Sequence, residues 1–331
     1  MAWSRPARLT KTVLETTVAD LEGETLKLVT YVTPDGTHRG GVAIDGAVVD
    51  LAEGAAALGC TIPSSVVSLL QAGEAGLAVA SRVAAEGAAG RLPARPESEV
   101  RLTAAVPDPP AIYLLAGNYQ AHIVEGGQAP VDKARITPRP FLKPGTSVVG
   151  TGDPILVPPD SDTLDYEIEI AAVIGTRARH VSVADAESHV AGYVVFNDVS
   201  ARSLKIDQNR VAREGDGLFD WLLGKWCDSF AAIGPYLVTR DEAGDPGRLE
   251  MALRVNGELR QHSSAGEMIF TIPEALAFLS RFVTLEPGTL LCMGTPGGVG
   301  DTTQTYLKPG DVVAAEIEVL GQLVNVVKSS A

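Results

Sequence analysis

The hydrophobic and polar positions of the first hundred residues predict short strands followed by a helix. LKLVTYVT, GGVAID and GAVVDL alternate or run apolar over strand-like lengths, and a PDG turn separates the first two. In PSSVVSLLQAGEAGLAVASRVAAEG, apolar residues recur at intervals of three and four, which is typical of a helix, although its glycines disfavour one. PDPP at 107–110 breaks any regular element. We therefore expect a small N-terminal α/β domain at residues 1–107.

The remaining chain, residues 108–331, is dominated by strand patterns. These are AIYLLAG, DYEIEIAAVIG, AGYVVFND, LRVNGELRQ, TLLCMGTP, DVVAAEIEVLG and QLVNVV, and the Asn-Gly pair in VNGE predicts a hairpin turn. Strands and helices do not alternate regularly along this part of the chain. We therefore expect a β-rich α+β fold and not a doubly wound sheet.

One segment of this second part, TIPEALAFLSRFVTLEPG, has the clearest helix pattern. Thr271 is suited to the N-cap, Glu274 stands in the capping-box position three residues on, and Pro273 falls in the first turn. An apolar stripe follows at Leu276, Leu279 and Val283.

Composition narrows the possible partners and the compartment. The 27 basic and 41 acidic residues give a net charge of -14, which repels nucleic acid and anionic membrane surfaces. The three cysteines are widely spaced and form no CxxC pattern, so we expect neither disulfides nor structural zinc. No apolar run approaches the roughly 20 residues of a membrane span. We expect a cytoplasmic enzyme with no nucleic-acid or membrane partner.

Candidate chemistry begins in DYEIEIAAVIG. If this segment is a strand, Asp165, Glu167 and Glu169 share one face, with no basic residue between them. An ExE pair is most often the solvated face of an amphipathic strand. Here the following AAVIG is apolar on both faces, as in a fully buried strand, and buried carboxylates remain ionised together only beside a cation. The segment therefore favours a metal site.

Asp198 ends the apolar strand pattern AGYVVFND and supplies a possible third carboxylate. Three carboxylates make an all-oxygen ligand set suited to Mg²⁺, Mn²⁺ or Ca²⁺, with positions left open for water or substrate. A turn or N-cap role with Asn197 and Ser200 is the alternative for this aspartate.

His122 and Glu125 stand three residues apart in GNYQAHIVEGG. A single helical turn would bring their side chains together, and the carboxylate would then orient the imidazole as a general base. The alternative is a surface pair without function. The glycines at 117, 126 and 127 would suit the hinges of a mobile segment.

Seven segments in order resemble the fumarylacetoacetate hydrolase (FAH) family: DYEIEIAAVIG, AGYVVFNDVSAR, LLGKWCD, IGPYLVT, RVNGELRQ, MGTPGGVG and LKPGDVV. The resemblance covers roughly residues 110–328, and the N-terminal part resembles the smaller leading domain of many bacterial members. It implies a mixed β-sandwich or roll and, commonly, a homodimer. It also implies that Glu167, Glu169 and Asp198 hold a divalent ion such as Mg²⁺.

The resemblance also implies roles for residues around that ion. His122 and Glu125 match the catalytic dyad on a mobile lid, and Lys225 matches an active-site lysine that stabilises an enolate or carboxylate. Arg202 and Thr295 match substrate-binding residues. From the sequence alone, the surface is the commoner place for a single lysine such as Lys225, and the loop of Thr295 would be interpreted as a turn. The glycine-rich loop lacks the Lys and Ser/Thr ending of a P-loop.

The family's usual pattern is broken after NDVSAR. This chain has Ser203 and Lys205 where members commonly carry an acidic residue and a glutamine. The segment from 205 to 223 also looks longer than in compact members. Both departures fall near the expected substrate pocket, so the substrate is the least certain part of the resemblance.

These residues predict chemistry on a small anionic 2-oxo acid or diketo acid. A bound cation polarises two substrate oxygens and stabilises an enolate. We expect hydrolytic cleavage of a C–C bond in an acylpyruvate or related diketo acid. The alternatives on the same site are oxaloacetate decarboxylation, keto–enol tautomerisation, and isomerisation or dehydration of a 2-oxo acid. A non-catalytic metal-binding protein is a further alternative, which the joint presence of His122, Glu125 and Lys225 disfavours.

Overall fold

The computed structural model describes residues 26–207 and 209–330. Up to residue 107 the strands are β1 Lys27–Val32, β2 His38–Ile44, β3 Ala47–Asp50, β4 Arg95–Pro96 and β5 Arg101–Leu102, and the helices are α1 Leu51–Ala57, α2 Val66–Gln71 and α3 Glu74–Ala88. 

Beyond residue 107 the strands are β6 Ile112–Leu115, β7 Pro140–Lys143, β8 Val148–Val149, β9 Pro154–Val157, β10 Leu164–Asp165, β11 Ile168–Ile174, β12 Val190–Asp198, β13 Ser200–Ala201, β14 Ala231–Ile233, β15 Leu237–Thr239, β16 Glu250–Val255, β17 Glu258–Ser264, β18 Leu290–Cys292, β19 Val312–Ile317 and β20 Gly321–Ser329. The helices are α4 Gln120–Glu125, α5 Val183–Ala186, α6 Asp216–Lys225, α7 Arg240–Ala243, α8 Ile272–Ser280 and α9 Gly300–Thr303.

Among the described residues, most strands belong to one large, mainly antiparallel sheet. Its order is β4-β3-β2-β1-β15-β12-β11-β18-β6-β7, with β5 beside β1 and β14 between β12 and β8. A second sheet has the order β17-β16-β19-β20-β9, and β10 pairs with β13. Strands outnumber helices, and the predicted β-rich α+β class is confirmed.

The central strand β11 is buried on both faces. Ile168 and Ile170 pack into the apolar cluster shared with the five-stranded sheet, whereas Ala171 and Val173 pack into the cluster on the opposite side with the N-terminal helices. This arrangement explains why AAVIG is apolar at every position. The strand that carries Glu169 is therefore anchored in the core.

The large sheet continues across the expected domain boundary near residue 107. Strand β1 pairs with β15 through Lys27 opposite Val238 and Leu28 opposite Leu237. Leu28 also belongs to the same apolar cluster as Phe196 of β12. The division into 1–107 and 108–331 remains a prediction, and the first 25 residues of that range lie outside the described part.

The helix predicted at 63–87 is two helices. Gly73 separates α2 from α3 and has φ +69, a backbone conformation that ends a right-handed helix. Helix α1 begins at Leu51, inside the run GAVVDL that the pattern assigned to a strand. Asp50 ends β3 and caps α1 by accepting a hydrogen bond from the Glu53 amide.

Two local predictions are confirmed in detail. Helix α8 carries the complete capping box of Thr271 and Glu274, although it ends at Ser280, so Val283 lies beyond it. Asn256 and Gly257 both have positive φ, as the predicted hairpin turn requires. No helix in the described part of the chain is long and apolar enough to cross a membrane.

Candidate metal centre and active site

The acidic triad lies where β11 and β12 run side by side. Glu169 stands opposite Phe196 in the antiparallel register, so Glu167, just before β11, comes close to Asp198 at the end of β12. Carboxylate oxygens of Glu167, Glu169 and Asp198 lie within 4.8 Å of one another, and all three residues are buried. The sequence-predicted ligand set is thus brought together by strand pairing.

Asp165 does not join the triad. The extended segment is interrupted between β10 and β11, and the Asp165 carboxylate turns to the loop after β18. It accepts hydrogen bonds from the amides of Gly300 at 2.7 Å and Asp301 at 2.9 Å, and from Arg202 Nε at 2.8 Å. The expectation that it shares a face with both glutamates is wrong, because the strand does not run through residues 166 and 167.

Two buried lysines and an arginine surround the carboxylates. Lys225 Nζ lies 2.9 Å from Glu167 Oε2 and 2.5 Å from Asp198 Oδ2. Arg202 Nη2 lies 2.6 Å from Glu167 Oε1. Both Lys225 and Arg202 were predicted as site residues from the sequence, and both form ion pairs with carboxylates of the triad.

Lys143 is a site residue that the sequence did not reveal. Its ammonium group is fully buried, lies 2.8 Å from Asp198 Oδ1, and donates hydrogen bonds to the carbonyl oxygens of Val199 and Lys225. It therefore links β7 to the end of β12 and to the end of α6. A lysine inside the apolar FLKP segment was the available clue, but its partners come from distant parts of the chain.

Burial and charge act in opposite directions on the two glutamates. Burial alone would raise the pKa of Glu167, but the Lys225 ammonium and the Arg202 guanidinium hold that pKa well below its usual range. Burial raises the pKa of Glu169 well above its usual range, and the negative charges of Asp198 and Glu167 raise it further. Glu169 is the triad member with the least positive charge beside it.

The donor set fits a hard divalent cation. Among the described residues, the hydrogen bond that reaches the Glu169 carboxylate comes from the Gly294 amide at 2.8 Å. A bound cation would supply the missing positive charge, and Mg²⁺, Mn²⁺ and Ca²⁺ all prefer carboxylate oxygens. The acidic triad thus indicates a divalent-metal site with Glu167, Glu169 and Asp198 as its protein ligands.

His122 and Glu125 face each other across one turn of α4. His122 Nδ1 lies 2.8 Å from Glu125 Oε1, and Glu125 Oε2 accepts a hydrogen bond of 2.7 Å from the Gly298 amide. Burial raises the pKa of Glu125, but the His122 contact and the Gly298 hydrogen bond outweigh it and lower that pKa. An ionised Glu125 fixes the imidazole so that Nε2 remains for proton exchange.

Thr295 is positioned by a residue that the sequence did not single out. Gln261 donates from Nε2 to Thr295 Oγ1 at 2.8 Å, and its Oε1 accepts from the Ile168 amide. Gln261 therefore ties the glycine-rich loop to the beginning of β11. In the sequence, its place at the end of the hairpin segment LRVNGELRQ was the available clue.

A cavity of about 50 Å³ collects these groups. Of the eight predicted site residues, seven line it: His122, Glu167, Glu169, Asp198, Arg202, Lys225 and Thr295. The eighth, Glu125, contacts His122. We call this the inner cavity. An adjoining outer cavity of about 730 Å³ shares Phe141, His122 and Trp221 with it.

The fold and this site define a family. Residues 111–328 match the family model described as fumarylacetoacetate (FAA) hydrolase C-terminal, so the chain belongs to the FAH family. The predicted resemblance is confirmed. Among its relatives, the mitochondrial oxaloacetate tautomerase FAHD2A of Bos taurus is 38% identical over 331 residues, covering 98% of this chain and 99% of its own. The expected cytoplasmic location stays a prediction.

Solved structures of the family share the fold. The fumarylacetoacetate hydrolase of Exiguobacterium antarcticum superposes with a TM-score of 0.73 and 32% identity, covering 92% of this chain and 100% of its own. Maleylpyruvate hydrolase of Sphingobium, in complex with manganese(II) and pyruvate, gives a TM-score of 0.70 and 27% identity with the same coverage. The relatives are thus named both tautomerases and hydrolases. The chain is a FAH-family enzyme with a buried acidic triad that could hold a metal ion.

Proposed function

We propose that this protein is a divalent-metal-dependent keto–enol tautomerase of oxaloacetate. The relative that matches nearly the whole chain is named for that reaction. The observation that carries the proposal is the His122–Glu125 pair, which leaves one imidazole nitrogen at the inner cavity to move a proton. Hydrolytic C–C cleavage, favoured by the sequence alone, becomes the second candidate because the matched Sphingobium structure is named a hydrolase.

Tautomerisation needs a proton to leave one substrate atom and return to another. His122 Nε2 removes a proton from C3 of the keto acid and delivers it to the oxygen on C2, while Glu125 keeps the ring oriented. Lys225, with its ammonium in the cavity, offsets negative charge that develops on the C2 oxygen. A bound divalent ion would add Lewis-acid polarisation of the substrate carbonyl.

The charge balance of the site favours an anionic substrate. Four buried carboxylates, the triad and Asp165, stand beside three cations, Lys143, Lys225 and Arg202. The unloaded cluster is therefore close to balance, and a divalent ion gives it an excess of positive charge. A dicarboxylate such as oxaloacetate offsets that excess. The relative's complex with manganese(II) and pyruvate supports Mn²⁺ or Mg²⁺ as the ion here.

The test follows the disappearance of enol oxaloacetate by its ultraviolet absorbance with Mg²⁺ or Mn²⁺ present. We expect the protein to accelerate it, a chelator to remove the acceleration, and His122→Asn to slow it by about 100-fold or more. His262→Asn, at an exposed position, is the matched control and should leave the rate unchanged. Carbon dioxide release and acylpyruvate cleavage are measured in parallel. Cleavage of acylpyruvates without enol conversion would establish the hydrolase instead.

A further inference from the structure

The outer cavity is much larger than oxaloacetate requires. Its volume of about 730 Å³ falls in the range of about 300–1,000 Å³ that is typical of pockets for drug-sized ligands. It opens toward the triad through the shared lining residues Phe141, Trp221 and His122. A substrate whose 2-oxo acid end enters the inner cavity therefore has room for a large substituent.

The lining of the outer cavity is apolar and aromatic. Among the described residues that line it, only His122 and Arg139 carry or can carry charge, and no carboxylate does. Its larger apolar side chains include Ile123, Ile136, Leu222, Trp221, Trp226 and Phe270. Such a surface gains free energy by covering apolar area, at about 25 cal/mol per Å², and Arg139 is the one permanently charged side chain among its described lining residues.

Aromatic rings form the passage between the two cavities. Phe141 and Trp221 pack edge to face, with centroids 4.8 Å apart, and the Lys225 ammonium lies 5.6 and 5.7 Å from these two centroids. Trp226 is fixed by a hydrogen bond of 2.8 Å from Nε1 to the Leu142 carbonyl. Planar rings in fixed positions favour stacking with an aromatic substituent.

We propose that the same site tautomerises 2-oxo acids that carry an aromatic or large apolar group on C3, with that group held in the outer cavity. The inference rests on the proposed tautomerase function. The reaction balances without a co-reactant, because the proton that leaves C3 returns to the C2 oxygen as the C2–C3 double bond forms. His122, which lines both cavities, is next to the atoms that exchange it.

The experiment compares enol conversion of phenylpyruvate and indole-3-pyruvate with that of oxaloacetate, using the metal-loaded full-length protein. We expect all three to be accelerated. Leu222→Trp, which narrows the outer cavity, should lower kcat/KM for the arylpyruvates by about tenfold or more and spare oxaloacetate. Leu223→Trp is the matched control, because Leu223 is the next residue on α6, is exposed and does not line the cavity. It should change neither activity.

A binding measurement keeps the test independent of any variant's folding. Trp226 lines only the outer cavity, whereas Trp221 lines both cavities, so phenyllactate, which cannot tautomerise, should change the tryptophan fluorescence of the metal-loaded protein more than lactate does, and Trp226→Phe should remove that difference. Conversion of oxaloacetate without conversion or binding of the aromatic compounds would overturn this inference and leave the proposed function standing. Conversion of arylpyruvates alone would overturn the assignment of oxaloacetate and support the inference.

Discussion

At the scale of single residues, the site contains charges that are individually unfavourable when buried. Glu169 is the clearest case, because its ionised form is disfavoured both by burial and by two neighbouring carboxylates. A raised pKa in the folded state means that the residue supports folding only at low pH. Its contribution is lost as the pH rises through the folded-state pKa, unless a cation binds beside it.

We therefore predict that Glu169→Gln stabilises the metal-free protein at about pH 8 by roughly 1 kcal/mol or more, and that this gain disappears near pH 4. The same variant should lose most of the stabilisation that added Mn²⁺ gives the wild type. Urea unfolding with and without Mn²⁺ measures both effects. Glu99→Gln, at an exposed position, is the control and should change neither. A destabilised, metal-responsive Glu169→Gln protein would refute this view of the site.

Residue patterns alone revealed site residues whose partners are close in sequence or paired by strands. Lys225, Arg202 and Thr295, whose partners lie far along the chain, were predicted only through the family resemblance. Glu167, Glu169 and Asp198 followed from strand patterns, and the match to the FAH family strengthened them. Lys143 was missed because it contacts the ends of β12 and α6, which lie more than 50 positions away. Only the folded chain shows that a buried lysine completes the acidic cluster.

At the scale of elements, helix α4 brings His122 to the inner cavity with Glu125 beside it. It is only six residues long, and Glu125 is held by the Gly298 amide as well as by His122. Of its predicted hinge glycines, Gly117 and Gly127 have positive φ, whereas Gly126 has φ −73. The backbone after α4 therefore depends on a glycine at 127 and not at 126.

Gly127→Ala is predicted to destabilise this turn by about 1 kcal/mol, because an L-residue is strained at φ +79. We expect faster hydrogen exchange of the α4 amides and a kcat lowered by about fivefold, the factor that corresponds to that free energy. Gly126→Ala is the matched control, and it should keep both values or increase protection slightly. Equal effects of the two substitutions would show that φ at 127 is not the determinant.

Helices and turns were predicted correctly where the determining residues are close together in the sequence. The capping box of α8 and the Asn-Gly turn depend on residues within four positions of each other, and both are present. Helix α1 was missed because Asp50 belongs at once to β3 and to the helix N-terminus, so one apolar run serves two elements. The break at Gly73 was likewise hidden in a continuous helical pattern.

At the scale of the whole molecule, the described chain is joined across residue 107 by one sheet and one apolar cluster. Leu28 of β1 is fully buried at the seam with β15, and Leu253 of β16 is fully buried in the other cluster. If the two parts were independent domains, a core substitution would change the unfolding midpoint only of the domain that contains it. A continuous sheet instead couples both parts in one unfolding transition.

We accordingly predict that Leu28→Ala destabilises the whole described chain by about 2–5 kcal/mol. Urea unfolding is followed by far-UV circular dichroism and by fluorescence of Trp221 and Trp226, with Trp3→Phe as background. Circular dichroism reports on helices on both sides of residue 107, whereas Trp221 and Trp226 report only on the part beyond it. In a single transition both midpoints should shift together, as they should for Leu253→Ala. A fluorescence midpoint that stays at the wild-type value in Leu28→Ala would mean that residues beyond 107 fold independently. In that case the β1–β15 pairing would contribute little to the free energy of unfolding of the part beyond residue 107. The predicted division into residues 1–107 and 108–331 would then describe two independently folding domains.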